Sequence, residues 1–326
     1  MSTIRLAVSV GDLNGISLEC LVRALPHVSP DVEITLCSNE ASLRSAIAAH
    51  GLTADVRSGA LVAGGRTVHI HPIEAVVDVE PGALDAHSGL HAVQSLDAAV
   101  DLVQRGQAHG VVTLPLSKDV CGRAGFGFPG QTEYLADKAQ GQAVMVLCSG
   151  TVRVALATIH VPLRRVAEVL TSDRIEDTVR VLDRHLRADR GVGTPRVAVL
   201  ALNPHAGEHG RIGSEEDVLI RPSIERLCLE GYNVDGPHAA DGFFAFGDYR
   251  NYDGIVAMYH DQGLIPLKLL ANGGGVNCTV GLSLVRTSPD HGTAFGIAGK
   301  GLADERSTVE AIALAADIIR TRVNFR

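Results

Sequence analysis

The chain has 326 residues, a formal net charge of −8 and a pI near 5.9; 46 % of its residues are hydrophobic, 20 % are charged and 4 % are aromatic, with no Trp. That much apolar sequence supports a sizeable core and excludes a disordered or low-complexity chain. The acidic balance and the scarcity of aromatics argue against a nucleic-acid partner, which calls for a basic face or stacking platforms.

Taken in chain order, short apolar runs alternate with amphipathic stretches. Ile4–Val10 reads as a strand, broken by Gly11-Asp12-Leu13-Asn14-Gly15, with a helix over Ser17–Ala24. Val32–Cys37 is the next strand and Glu40–Ala49 the next helix, and Thr67–His71 is a strand among Gly-rich turns. Ser88–Arg105 carries Leu90, Val93, Leu96, Ala99, Leu102 and Val103 at helical spacing. Gly110–Leu114 is strand-like and stops at Pro115. Val144–Cys148 and Val152–Ile159, parted by Ser149-Gly150, have hairpin spacing, which predicts a mixed sheet. Val166–Arg187 is mostly helical with a break near Ser172, Val197–Leu202 is a buried strand, and Glu215–Glu230 is a helix. Gly254–Met258 is a strand, and Ser307–Val323 is a closing helix with Ser307 as N-cap and Glu310 three residues on. This alternation indicates an α/β fold, with two lobes rather than two separate beads.

No run approaches the roughly 18 apolar residues of a spanning helix, and the N-terminus lacks the apolar core of a signal peptide. A cytoplasmic protein with no membrane partner is expected. Cys20, Cys37, Cys121, Cys148, Cys228 and Cys278 are scattered singly and read as buried, reduced thiols.

Chemistry in α/β sheets collects at the carboxyl ends of strands. His160, His205 and His260 each follow a strongly apolar strand. Three converging imidazoles can hold a divalent metal with a position open for substrate; the alternative is three histidines capped by local hydrogen bonds. Asp241 and Asp261 are near in sequence and could add a carboxylate. Pro129-Gly130-Gln131-Thr132-Glu133 opens a helix whose free N–H groups and hydroxyl suit a phosphate. Lys268 follows an apolar run and Arg286 ends another, Val280–Val285. Each pairs either with a substrate phosphate or with an internal carboxylate. Arg164-Arg165 and Arg187–Arg190 read as solvated helix ends, and His69 and His71 as structural residues on a strand edge. Gly273-Gly274-Gly275 matches no dinucleotide fingerprint, and P-loop, GxSxG and HExxH patterns are missing.

Longer motifs go further. Asn203-Pro204-His205-Ala206-Gly207-Glu208, the run Ala257-Met258-Tyr259-His260-Asp261-Gln262-Gly263-Leu264-Ile265-Pro266-Leu267-Lys268, Gly275-Val276-Asn277, and Arg286-Thr287-Ser288-Pro289-Asp290-His291-Gly292-Thr293-Ala294-Phe295 stand in order along the chain, continued by Ile297-Ala298-Gly299-Lys300-Gly301. Together they resemble the 4-hydroxythreonine-4-phosphate dehydrogenase family of pyridoxal phosphate biosynthesis, over nearly the whole length.

The resemblance implies a two-lobed α/β/α fold with mixed sheets, similar to isocitrate and isopropylmalate dehydrogenases. The active site would lie in a cleft between lobes, and both subunits of a homodimer would contribute to it. Residues 1–128 with 282–326 would form the nucleotide-side lobe, and 129–281 the metal and dimer side. His160, His205 and His260 would bind one divalent metal, whether zinc, magnesium, cobalt or manganese. Gln131, Thr132, Lys268, Asn277 and Arg286 would contact substrate. Asp290, His291, Gly292, Thr293 and Ala294 would meet NAD or NADP. Lys268, Asp241 (from the partner subunit) and Asp261 are the candidate catalytic groups, and which group takes the hydroxyl proton stays open.

The implied reaction oxidises a secondary alcohol and releases CO2, turning 4-phosphohydroxy-L-threonine into 3-amino-2-oxopropyl phosphate. Gln131 departs from the family pattern PGHTE, where histidine stands. A neutral donor replaces a titrating one, so Gln131→His is expected to tighten a phosphorylated amino acid, more at pH 6 than at pH 8. The departure leaves 4-phosphorylated threonate or erythronate as an alternative substrate. An aromatic cis-dihydrodiol and a ligand-binding pseudoenzyme are more remote.

Overall fold

The computed structural model describes residues 3–324, so the outermost residues of the first expected lobe lie outside the described residues. The elements from the start of the chain are β1 (Ile4–Ser9), α1 (Ser17–Ala24), β2 (Val32–Ser38), α2 (Glu40–His50), β3 (Ala54–Arg57), β4 (Ala60–Ala63), β5 (Arg66–Pro72), α3 (Ala86–Gln104), β6 (Gly110–Thr113), α4 (Lys118–Arg123) and α5 (Gln131–Lys138). There follow β7 (Gly141–Ser149), β8 (Val152–Leu156), α6 (Val166–Val169), α7 (Ser172–Arg190), β9 (Val197–Leu200), α8 (Arg221–Leu229), β10 (Val234–His238), α9 (Ala240–Ala245), β11 (Gly254–Ala257), α10 (His260–Ala271) and β12 (Val276–Leu282). β13 (Arg286–Pro289) and α11 (Arg306–Asn324) close the chain. Backbone contacts divide it into two units: the chain up to Gln140 together with Leu282–Val323, and Gly141–Gly281.

In the first unit the strand order is β13-β6-β1-β2-β5-β4-β3. β1 runs parallel to both neighbours, with Val8 opposite Leu36 on one side and Val112 on the other. β6 is buried along its whole length, as parallel strands covered on both faces must be. The β3–β4–β5 edge is antiparallel, which makes this unit mixed. β3 and β4 were unread in the sequence because they are short. Their connection is the tight turn Ser58-Gly59, with positive φ at both residues, the geometry that matches the twist of paired strands. β5 lies between β2 and β4, so His69 and His71 are on an interior strand, not an edge.

In the second unit the order is β10-β9-β11-β8-β7-β12. β9, β11 and β8 are mutually parallel neighbours, and β7 and β8 form the expected antiparallel hairpin, Val146 opposite Ala155. Leu147, Val154, Leu156, Ala198, Leu200, Ile255 and Ala257 from this sheet pack with Phe243 of α9 and Leu264 and Leu267 of α10 in one core.

Several local expectations change. α3 buries Ser88, His91 and Ser95 beside Leu96, Ala99 and Leu102, while Leu90 is exposed. The helix turns a partly polar face inward because strand ends need partners there. Ser95 Oγ accepts from the Val10 amide at 2.8 Å and donates to the Cys37 carbonyl, and His91 Nε2 meets Ser38 Oγ at 3.1 Å. The expected helix over Glu215–Glu230 starts with one wide π turn, Glu216–Ile220, ahead of α8; Pro222 in the first turn of α8 has no N–H to give the regular ladder. Ser307 does not cap α11. It sits inside the first turn, and its hydroxyl accepts from the Asp290 amide at 2.8 Å. Of the six thiols five are buried, but Cys228 is exposed, and all are free. Among the described residues no helix is long and apolar enough to cross a membrane.

Burial pushes the His91 imidazole down to about 4 from its ordinary 6.5. The unfolded chain therefore takes up the proton first as the pH falls. This contribution to stability is complete above pH 6.5 and is lost between pH 6.5 and about 4. Urea unfolding should lose about 2 kcal/mol between pH 7 and pH 5 from this residue. His91→Gln should flatten that part of the profile, and an unchanged slope would remove His91 as its source.

Candidate active site

The three histidines singled out in the sequence fall at the carboxyl ends of β8, β9 and β11, three adjacent parallel strands of the second unit. Pairing stops there, and buried side chains take over the backbone groups it leaves. Thr158 Oγ1 donates to the Met258 carbonyl at 2.7 Å. Gln262 Oε1 accepts from the Met258 amide at 2.7 Å, and its Nε2 donates to the Ala201 carbonyl. The ends of β8, β11 and β9 are thereby tied in sequence. His160 follows Thr158, and His260 opens α10 behind Tyr259, so their rings come to 5.9 Å between centroids. His260 Nδ1 also lies 2.8 Å from Asp261 Oδ1.

His205 is delivered differently. It lies in the turn Pro204–Glu208, where His205, Ala206 and Glu208 have positive φ, as does His209 just after it. Left-handed backbone at residues with a Cβ costs roughly 1–2 kcal/mol each, so surrounding contacts must hold it. Glu216, buried in the π turn, does so. Its Oε1 accepts from the Leu202 and Asn203 amides at 2.9 and 2.7 Å, and its Oε2 accepts from Asn203 Nδ2 at 2.9 Å. Sequence reading passed over Glu216; the signal for it was a carboxylate soon after a glycine-rich turn. The structure thus pairs His160 with His260 and leaves His205 on its own loop. Among the described residues no three His, Cys, Asp or Glu side chains stand in an arrangement that could hold a metal ion. The donor chemistry, imidazoles at three adjoining strand ends, is of the kind a divalent cation takes.

Asp241 is exposed in the first turn of α9, and Asp261 is exposed beside His260. Lys268 lies eight residues into α10, about 12 Å along the axis from His260. The apolar run it follows is therefore part of a helix. Asn277 is on β12, and its Oδ1 is a buried acceptor without a protein partner, a group that a ligand donor would satisfy.

The first unit holds the anion-binding candidates. Arg286, at the end of the apolar run Val280–Val285, opens β13, beside β6, and is 3 % exposed. Its Nε donates to Thr113 Oγ1 at 2.9 Å and its Nη2 to Gln131 Oε1 at 2.7 Å, while Gln131 Nε2 donates to the Leu114 carbonyl at 3.1 Å. Both of these acceptors are neutral oxygens, and they orient two edges of the guanidinium. Thr132 is in the first turn of α5, which begins after Gly130 with no side-chain cap. Lys118 was also missed. Its Nζ lies 3.6 Å from where a Cβ on Gly130 would stand. A cation at the start of the helix after β6 was the available signal.

The segment Asp290–Ala294 packs on the opening loop of the chain. The Ile16 amide donates to the Thr293 carbonyl at 3.0 Å, and a Cβ at Gly15 would fall 2.6 Å from that oxygen, so only glycine permits the approach. Asn14 Oδ1 accepts from the Glu80 amide, and its Nδ2 donates to the Ala83 carbonyl. His291 Nε2 is buried without a partner, and a Cβ on Gly292 would meet no atom within 4 Å. An orphaned ring nitrogen beside an open backbone suits a polar cofactor edge.

The sequence matches the family described as pyridoxal phosphate biosynthetic protein PdxA over residues 23–315. A 4-hydroxythreonine-4-phosphate dehydrogenase from Bacteroides thetaiotaomicron is 39% identical, covering 98% of this chain and 90% of that protein. The crystal structure of the enzyme of that name from Klebsiella pneumoniae superposes with a TM-score of 0.84 at 35% identity, over 98% of this chain and 100% of that one. Isocitrate dehydrogenase from Methylococcus capsulatus shares the fold, with a TM-score of 0.52 at 16% identity over 98% of this chain and 87% of that one. The expected mixed α/β fold of the isocitrate dehydrogenase type is borne out.

Glu216→Ala should release the strained His205 turn. Loss of hydrogen bonds to a buried carboxylate predicts about 2–4 kcal/mol of destabilisation in urea unfolding, and a fall in turnover well beyond tenfold at temperatures where the variant stays folded. Full turnover would show that the turn does not depend on Glu216. Gly15→Val should break the Ile16–Thr293 contact and lower stability in urea unfolding by at least about 1 kcal/mol; unchanged stability would show that the close approach does not require glycine.

Proposed function

Because the chain belongs to the PdxA family of pyridoxal phosphate biosynthetic proteins, we propose that it oxidises and decarboxylates 4-phosphohydroxy-L-threonine to 3-amino-2-oxopropyl phosphate, with NAD or NADP as hydride acceptor. The observation that carries this reading is the family match over residues 23–315, which spans every candidate site residue from Gln131 to Ala294. Its relatives of that name are dehydrogenases.

Arg286, Thr132, Lys268 and Asn277 bind the phosphorylated acid, and Asp290, His291, Gly292, Thr293 and Ala294 hold the nucleotide. The imidazoles of His160, His205 and His260 are the donors that would hold a divalent cation, once the three strand-end loops bring them together. When bound, that cation supplies Lewis-acid polarisation of the substrate oxygens, and the nicotinamide supplies the hydride acceptor. Lys268, Asp241 and Asp261 are the groups available to hold or move the hydroxyl proton. The buried Oδ1 of Asn277 accepts a hydrogen bond from the substrate.

Ile265, Leu269 and Leu270 of α10 and Phe246 after α9 are exposed. Such an apolar group marks a protein contact, and a second copy of the chain covers it in a homodimer. Asp241, on α9 of the same region, then serves the partner's site. Free thiols agree with a reducing, cytoplasmic setting.

A panel assay tests the reading. Purified protein with NAD or NADP and a divalent metal is offered 4-phosphohydroxythreonine, 4-phosphothreonate and 4-phosphoerythronate, and reduced cofactor is followed. The highest kcat/KM should belong to the amino acid phosphate, and no turnover of it would overturn the assignment. His260→Ala should lower bound metal, measured by elemental analysis, and turnover by at least about a hundredfold.

A further inference from the structure

We propose that Gln131 is a positioning residue for Arg286, acting on the substrate anion through the guanidinium and keeping the charge of the site independent of pH. The proposal rests on the reading that Arg286 binds the substrate phosphate.

The geometry fixes the orientation of the carboxamide. A guanidinium only donates, so the oxygen of Gln131 must face Arg286 Nη2, 2.7 Å away, and the amide nitrogen must face the Leu114 carbonyl, 3.1 Å away. Thr113 Oγ1 takes the Nε edge at 2.9 Å. Thr113 ends β6 and Leu114 follows it, and Arg286 begins the neighbouring β13. One strand end and one side chain from the start of α5 thus hold two edges of the guanidinium fork. Both ends of the Gln131 carboxamide are engaged in doing so.

A histidine in this place would have to present a bare ring nitrogen to Arg286 and its N–H to Leu114. It could do so only as the neutral tautomer. Protonation removes the acceptor and sets a second positive charge against a buried one. Glutamine meets the same two partners at every physiological pH. The exchange therefore removes a titration from the anion site, and it does not weaken the hold on Arg286.

The test compares Gln131→His, Gln131→Leu and Gln131→Glu with the parent enzyme, as ratios at each pH because the substrate phosphate itself titrates near pH 6. Gln131→His should match the parent KM at pH 8 and raise it about tenfold at pH 6, with kcat changed much less. Tighter binding at pH 6 than at pH 8, relative to the parent, would mean that residue 131 meets the anion directly and would overturn the proposal. Gln131→Leu should raise KM about tenfold in the parent background and little in an Arg286→Lys background, where no fork remains to be oriented. An equal effect in both backgrounds would likewise overturn it. Gln131→Glu keeps an acceptor for Arg286 but neutralises it, so KM should rise at both pH values; a KM unchanged at both would count against the proposal. If Arg286→Lys itself leaves KM unchanged, the phosphate reading fails, a result distinct from failure of the positioning role. Should Gln131→Leu not fold, the pH ratio of Gln131→His decides.

Discussion

Where parallel strands stop pairing, they leave buried amides and carbonyls that water cannot reach, and each must find a partner. The described part of both units is organised by how that demand is met. In the second unit Thr158, Gln262 and Glu216 complete the ends of β8, β11 and β9. In the first, Ser95 completes the end of β1, and Ser17 Oγ donates to the Pro115 carbonyl beyond β6. In the second unit these side chains fix the backbone segments that carry His160, His205 and His260. There, satisfying the strand ends and building the site are the same structural event.

The constraint also explains the contrast between buried and exposed members of the site. Arg286 is nearly inaccessible and held on two edges by neutral oxygens, the arrangement expected of a group whose geometry matters. Lys268, Asp241 and Asp261 are exposed, as suits groups that act once substrate or a second subunit is in place. His205 stands between the two cases, exposed itself but carried by a strained turn whose buttress, Glu216, is buried.

A good part of this was legible along the chain. Helix α1 begins and ends where its pattern predicted, Ser17–Ala24, because a glycine-rich break precedes it and an apolar face runs through it. The β7–β8 hairpin followed from two apolar runs parted by Ser149-Gly150. The polar inner face of α3 was not legible, since periodicity counts apolar residues and cannot see that Ser95 and His91 have buried partners on β1 and β2. Ser307 had the spacing of a cap, but the amide it serves belongs to Asp290.

By itself the sequence determined the alternation of strands and helices, the placement of His160, His205 and His260 after apolar strands, and the motifs that mark the family. These depend on local periodicity and on side-chain chemistry, which neighbouring residues encode. Tertiary structure alone decided that Arg286 meets Gln131 across 155 residues of chain and Thr113 across 173. It also decided that β9, β11 and β8 lie side by side, and that a left-handed turn carries His205. The physical reason is that a hydrogen bond needs its donor and acceptor within about 3 Å, and for residues so far apart only the order of strands in the folded sheet sets that distance.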